Sequence, residues 1–223
     1  MKQLYLINEQ HSELLLFFTG WAADKTPFEQ YVPAGMDYMI CYDYRNLDFD
    51  ASLLQAYRKI HVVGWSMGVW AAAQVRPLLP DCAVETTAFN GSTAPIDDEA
   101  GIPTALFDGT LDGLTPASLQ KFMRRMCSDS RAYKAFMEIT PRRDFDEIKE
   151  ELRLVKEQYL HGTDRHMTYD HVYIGRNDRI FPTDNLLRNH ADTPAEQQHV
   201  ADTAHYDEPT FRYLLQERYE TNR

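Results

Sequence analysis

The chain has 223 residues, 43% of them hydrophobic, which suits one large domain with a substantial core. Its 34 Asp and Glu against 23 Lys and Arg give a formal net charge of -11 at pH 7, which argues against nucleic acid and anionic membranes as general partners. Three cysteines, Cys41, Cys82 and Cys127, make neither a closed disulfide framework nor a Cys-x-x-Cys pair, so the expected location is the reducing cytoplasm.

From the N-terminus, two apolar runs, Gln3 to Ile7 and Glu13 to Phe18, flank a polar turn and predict an antiparallel hairpin opening the sheet. Neither run is long enough to cross a bilayer, and the polar Asn8 to Glu13 stretch interrupts any signal-peptide pattern. A helix is predicted near Pro27 to Val32, a strand from Asp37 to Tyr42, a helix near Ala51 to Tyr57 and a strand from Lys59 to Val63. That strand runs into Val63-Gly64-Trp65-Ser66-Met67-Gly68, a serine between two glycines, followed by the small-residue helix start Val69 to Ala73. Pro77 and Pro80 are expected to end this helix, and Val84 to Phe89 reads as the next strand, closing on Asn90-Gly91. Strands alternating with helices at this spacing imply an α/β class with a mainly parallel central sheet and helices on both faces.

Between about Thr115 and Gln158 the pattern changes. Leu119, Phe122, Met123, Met126, Tyr133, Phe136, Met137, Ile148, Leu152 and Val155 recur at helical spacing with no strand among them. This predicts a helical cap inserted at about 115–165 in a single domain spanning 1–223. Most of its aromatics and methionines are expected to pack on the parent domain, with Phe122 and Met126 the candidates for a substrate groove. Strand character returns at His171 to Ile174 and Gln197 to Val200, and a helix from about Pro209 to Tyr219 closes the chain.

The glycine-flanked serine reads as a nucleophile elbow, a sharp strand-to-helix turn that exposes the Ser66 hydroxyl. A serine hydroxyl needs an imidazole base and usually a carboxylate to orient that base. His205, after a predicted strand and before the last helix, is the candidate base. Asp178, in the turn between Gly175 and Pro182, is the candidate acid, with Asp108 and Asp184 as competitors. The order Ser66, Asp178, His205 is that of the α/β-hydrolase fold. The backbone N–H groups of Met67 and Trp21 are the expected oxyanion donors. Many hydrolases carry His-Gly where this chain has Thr19-Gly20, so a hydrogen bond made there by that histidine must be made differently or lost.

His161, His166 and His171 are five residues apart, a spacing that shares neither a helix face nor a strand face, so no metal site is expected. No Gly-x-x-x-x-Gly-Lys-Ser/Thr loop occurs, and no cofactor is expected. From Lys121 to Arg143 seven basic residues stand against Asp129 and Glu138, seven minus two giving a local +5 in an acidic chain. Such segregation suits an acidic macromolecular partner, and a solvated surface of mixed charge is the plainer alternative.

Phe17-Phe18-Thr19-Gly20-Trp21, the elbow itself, Ala88-Phe89-Asn90-Gly91-Ser92, Pro95-Ile96-Asp97-Asp98, Gly101-Ile102-Pro103 and Ala204-His205-Tyr206 together resemble a known family. It is the BioG type of pimeloyl-acyl-carrier-protein methyl ester esterases, within the α/β-hydrolase superfamily. The Asn-Gly-Ser stretch with Pro-Ile-Asp-Asp is the narrower part of the resemblance. It implies hydrolysis of the methyl ester of a pimeloyl chain on acyl carrier protein, releasing methanol on the route to biotin. Ser66 would attack, His205 would carry the proton and Asp178 would orient it. The basic cap, with Arg124, Arg125, Arg142 and Arg143, would meet the acidic carrier. Trp65 is a candidate for contact with the acyl chain, with burial as a structural tryptophan the competing reading. Two other functions are weighed against this one: an esterase or thioesterase on small acyl esters, and a non-catalytic binding module that keeps the fold.

Overall fold

A computed structural model describes residues 1–162 and 167–220. Among these residues lies one seven-stranded sheet of order β1-β3-β2-β4-β5-β6-β7. Its strands are β1 (Lys2–Ile7), β2 (Glu13–Phe18), β3 (Asp37–Tyr42), β4 (Lys59–Trp65), β5 (Ala83–Phe89), β6 (His171–Gly175) and β7 (Gln198–Ala201). The α-helices are α1 (Met67–Val75), α2 (Thr104–Asp112), α3 (Pro116–Met126), α4 (Ser130–Glu138), α5 (Phe145–His161), α6 (Thr183–Asn189) and α7 (Glu208–Leu215). No helix among the described residues is long and apolar enough to cross a membrane.

The expected β1–β2 hairpin does not form. β1 runs antiparallel to β3, and β2 lies parallel to both β3 and β4. The cause lies in the residues. Leu14 to Phe18 are all fully buried and need cover on both faces, so β2 takes a central place, whereas β1 is partly exposed along its length and suits an edge. The connection between them is tied to β3 instead, because Asp37 accepts hydrogen bonds from the N–H groups of Glu9 (2.9 Å) and His11 (3.2 Å).

Two predicted helices shrink to turns. Residues 26–30 form turns rather than a helix, since Pro27 and Pro33 bracket too few residues and Pro33 disfavours helical backbone at Val32. The second is a single 3-10 turn, Ala51–Leu54, capped by Asp50. Two helices were not foreseen, α2 and α6. Within the stretch 115–165, expected to be helical, lie α3, α4 and α5, with α2 preceding it; its far limit and His166 lie outside the described residues.

Helices cover both faces of the sheet. Successive residues of a strand point to opposite faces. In β5, Ala88 packs with Val69 of α1 and Leu186 of α6, while Phe89 meets Phe211 of α7 edge-on at 5.2 Å. This is an α/β-hydrolase fold.

Candidate active site

Ser66 sits at the junction of β4 and α1 with φ 57° and ψ -124°, a conformation a non-glycine residue holds only at a cost of roughly 1–3 kcal/mol. Its surroundings permit this turn because they lack side chains. A Cβ on Gly68 would lie 2.1 Å from the Phe18 carbonyl oxygen, and one on Gly91 would lie 2.2 Å from the Ser66 carbonyl oxygen. The elbow is therefore packed directly against the ends of β2 and β5.

The structure brings the three sequence-predicted residues together. His205 Nε2 is 3.0 Å from Ser66 Oγ, and His205 Nδ1 is 2.8 Å from Asp178 Oδ2. A carboxylate can only accept, so Nδ1 carries the proton and Nε2 is left as the acceptor for the serine hydroxyl. Ser66 and His205 are buried, as is the Asp178 side chain. Asp178 is itself fixed in its turn, its other oxygen accepting from the N–H groups of Ile180 (2.7 Å) and Phe181 (3.0 Å). The competing acids stand elsewhere: Asp108 lies in α2 paired with Lys156 at 2.6 Å, and Asp184 lies in the first turn of α6.

The His205 loop is held from below by two side chains. Trp65 Nε1 donates to the His205 carbonyl at 3.0 Å. Asn90, 1% exposed and with φ 44°, donates through Nδ2 to the carbonyls of Ala204 (2.8 Å) and His205 (3.2 Å) and accepts from the Gly175 N–H (2.7 Å). One amide thus ties the end of β5 to the loop carrying the acid and the loop carrying the imidazole. Sequence reading noted Asn90 without giving it this place; an Asn-Gly pair at a strand end is the signal that marks it.

Met67 begins α1, so its N–H belongs to the unpaired first turn at the positive end of the helix dipole. Trp21 follows the end of β2, and its ring packs edge-on against Phe122 at 5.0 Å. Trp21, Ser66, Met67, Phe107, Phe122 and Leu152 line a cleft of about 90 Å³, with Arg125 and Arg179 also on its wall. Pockets that engulf a whole drug-sized ligand hold roughly 300–1,000 Å³, so this cleft has room for only part of a molecule of that size. A groove of about 550 Å³, lined by Leu47, Val75, Leu78 and Leu154, shares no residue with it.

Of the expected substrate contacts, Phe122 borders the cleft, whereas Trp65 and Met126 do not. Both sit on an adjoining, nearly filled apolar seam with Phe28 and Phe136, which shares Trp21 and Phe122 with the cleft; Trp65 is 3% exposed and in contact with Phe28 and Phe211. The Trp65 ring is buried in the core beside the cleft rather than on its wall.

The basic residues divide in the same way. Lys121, Arg125, Arg131, Lys134 and Arg142 are exposed, and Arg124 is half-buried, its guanidinium donating to Ser130 Oγ and lying over the Tyr133 ring. Arg143, expected among the carrier-facing residues, is not at the surface: its side chain is 4% exposed and pairs with Glu151 at 2.6 Å and Asp43 at 3.1 Å, so it faces inward and offers no docking charge. Burial pushes the Glu151 carboxyl up from its ordinary value, against the pull of Arg143. Burial pushes Asp43 up as well, but the Arg45 hydrogen bond, Arg143 and Lys2 outweigh it and bring that carboxyl down to about 2.

The sequence matches the family model described as pimeloyl-ACP methyl esterase BioG over residues 1–214. It is 48% identical over 206 residues to a Bacteroides fragilis protein named malonyl-[acyl-carrier protein] O-methyltransferase, an alignment covering 91% of this chain and 41% of that one. It is 44% identical over 146 residues to a Haemophilus influenzae protein, covering 64% of this chain and 65% of that one. The chain thus spans less than two thirds of the length of either relative. Among solved structures, it is similar to BioG from Haemophilus influenzae, with a TM-score of 0.82 and 34% identity over 95% of this chain and 97% of that one. A lipase-esterase related protein from Clostridium acetobutylicum, at a TM-score of 0.64 and 12% identity, shares the fold. The chain belongs to the BioG family of pimeloyl-ACP methyl esterases.

Proposed function

We propose that this protein is a serine carboxylesterase that removes the methyl group from a pimeloyl methyl ester carried on acyl carrier protein, a step toward biotin. The observation that carries this reading is the pair of contacts through His205, 3.0 Å to Ser66 Oγ and 2.8 Å to Asp178. His205 Nε2 takes the hydroxyl proton as Ser66 Oγ attacks the ester carbonyl. The Met67 and Trp21 N–H groups receive the negative oxygen, and the imidazolium, steadied by Asp178, returns the proton to the departing methoxide as methanol. Water then enters by the same route, and the acyl-enzyme opens to leave a free carboxylate on the chain.

Helices α3 to α5 act as a cap over the cleft. The exposed Lys121, Arg125, Arg131, Lys134 and Arg142 and the half-buried Arg124 meet the acidic carrier, and Arg125 stands on the cleft wall as well. The name of the Bacteroides fragilis relative supports the substrate class, since a protein that methylates a carrier-bound acyl group makes the kind of ester that this one would cleave. A cytoplasmic location suits three cysteines that are all free.

Mass spectrometry of carrier-bound methyl pimelate incubated with the protein and with Ser66→Ala tests the reading. Loss of methyl with the carrier linkage intact, abolished by the substitution, is expected. Release of the whole acyl group would make the protein a thioesterase. No change in either species would redirect it to small esters or to a role without turnover.

A further inference from the structure

The turn that carries Trp21 has no histidine of its own to brace it. It is braced from the cap. Glu151 of α5 is fully buried, and its two oxygens reach across to the ends of two strands. Oε2 accepts from the Ala22 N–H at 3.3 Å, and Oε1 accepts from the Tyr44 N–H at 2.8 Å, just past β3. Arg143 neutralises this carboxylate at 2.6 Å and also reaches the Ala23 carbonyl at 3.4 Å. One turn earlier in α5, the Ile148 carbonyl accepts from Trp21 Nε1 at 2.9 Å. Residues on both sides of the Trp21–Ala22 peptide therefore bond to α5. Ala22 needs this support, because it holds φ 66°, a left-handed conformation that is strained for a non-glycine residue.

We propose that Glu151, paired with Arg143, is a positioning residue for the oxyanion site: it fixes the Ala22 N–H and so aims the preceding Trp21 N–H at the developing negative oxygen. The cap is then a wall of the catalytic machinery, and lifting it would dissolve the oxyanion site. This rests on the esterase reading, with Trp21 N–H as donor. Geometry at this level matters, since a displacement of about 1 Å in a reacting group costs on the order of a hundredfold in rate.

A Glu151→Met/Arg143→Met double variant tests the proposal, because it removes both buried charges together and leaves no unpaired ion to unfold the chain. Turnover of a nitrophenyl ester and affinity for a boronic acid that mimics the tetrahedral intermediate are measured on folded protein. The expected result is a fall in kcat of roughly 30- to 100-fold at nearly constant KM, with boronate affinity falling in parallel. Glu151→Gln, which keeps an acceptor oxygen, is expected to recover part of both. A folded double variant with kcat and boronate affinity unchanged would overturn the proposal alone. Should the double variant fail to fold, Glu151→Leu, which removes both acceptor oxygens and leaves Arg143 paired with Asp43, decides: a melting temperature lowered with kcat unchanged assigns the carboxylate to stability only and overturns the proposal. A wild-type protein inert toward every ester and the boronate would defeat the esterase reading and this proposal with it.

Discussion

The indole N–H of Trp65 and the carbonyl oxygen of His205 are 3.0 Å apart, so the residue preceding the nucleophile holds the backbone of the residue that would activate it. The two are 140 positions apart in the chain, and the bond is buried. It makes the distance between nucleophile and base a property of the core.

Trp65→Phe removes this donor and keeps most of the apolar contact. One buried hydrogen bond is worth about 1 kcal/mol, so the melting temperature should fall by roughly 2–4 °C. Since the Trp65 ring is absent from the wall of the Ser66 cleft, KM for short esters and the preference for acyl length should hold while kcat falls. Kinetics across a series of ester chain lengths checks this. A changed length preference would place the indole against substrate after all.

Asn90 carries a larger share of the same task, with three side-chain hydrogen bonds joining two loops. Asn90→Gly is the informative substitution, because glycine adopts φ 44° without strain and the loss is then that of the amide. We expect a stability loss of roughly 2–3 kcal/mol, from a buried N–H and two carbonyls deprived of partners, and a fall in kcat of more than about tenfold. Urea denaturation and ester turnover read the two effects separately. Unchanged kcat would reduce the amide to a brace for the fold.

How much of this was legible beforehand follows from the range over which each feature is encoded. The elbow could be read because Gly64, Ser66 and Gly68 are local, and the close approaches at Gly68 need nothing more distant than Phe18. Asp178 and His205 followed from strand ends and chain order. The pairing of β1 did not, because two adjacent apolar runs look alike whether they pair with each other or with a third. The competition was decided by Asp37, which captures the connection through the Glu9 and His11 N–H groups. Arg143 reads like its neighbour Arg142, and only Asp43, a hundred positions earlier, and Glu151, one face of a helix away, turn it inward. α2 is hard to see in the sequence because Gly109 lies inside it and Phe107 is its only buried residue, so no apolar stripe marks it.

Two kinds of arginine in one short segment give opposite outcomes. Lys134→Glu with Arg142→Glu changes exposed charge only, and should raise KM for a carrier-bound ester by about tenfold at low salt, an effect that shrinks above roughly 0.5 M salt. Turnover of a short nitrophenyl ester should be unaffected. Arg143→Gln instead strands Glu151, while Asp43 keeps Arg45 and Lys2, and breaking a buried pair typically costs about 3–5 kcal/mol. Calorimetry and carrier-dependent kinetics on both variants check the contrast. A loss of carrier KM in Arg143→Gln with stability intact would return that side chain to the surface.

Acid stability should turn on a pair of histidines flanking β5. His61 in β4 has its Nε2 3.1 Å from Glu13 and its Nδ1 3.6 Å from Glu85, and His171 in β6 approaches Glu85 from the other side at 3.8 Å. Burial lowers the His61 pKa below 6.5, with Lys59 adding to this against Glu13 and Glu85. Burial also lowers His171, followed by Arg218, against Glu85 and Asp170 and with His199 adding to the decrease. Below pH 6.5 the unfolded chain therefore binds protons that the folded chain refuses, and stability falls as pH drops. Protonating carboxylates relieves repulsion in a chain of net charge -11, which works in the other direction, so the difference between variants is the clean measure. Urea midpoints from pH 7 to about 5.5 should decline less steeply in His61→Gln than in the wild type, because glutamine keeps a polar partner for Glu13 and does not titrate. Equal slopes would mean that His61 ionises in the folded protein as readily as in the unfolded one, its carboxylate neighbours cancelling its burial.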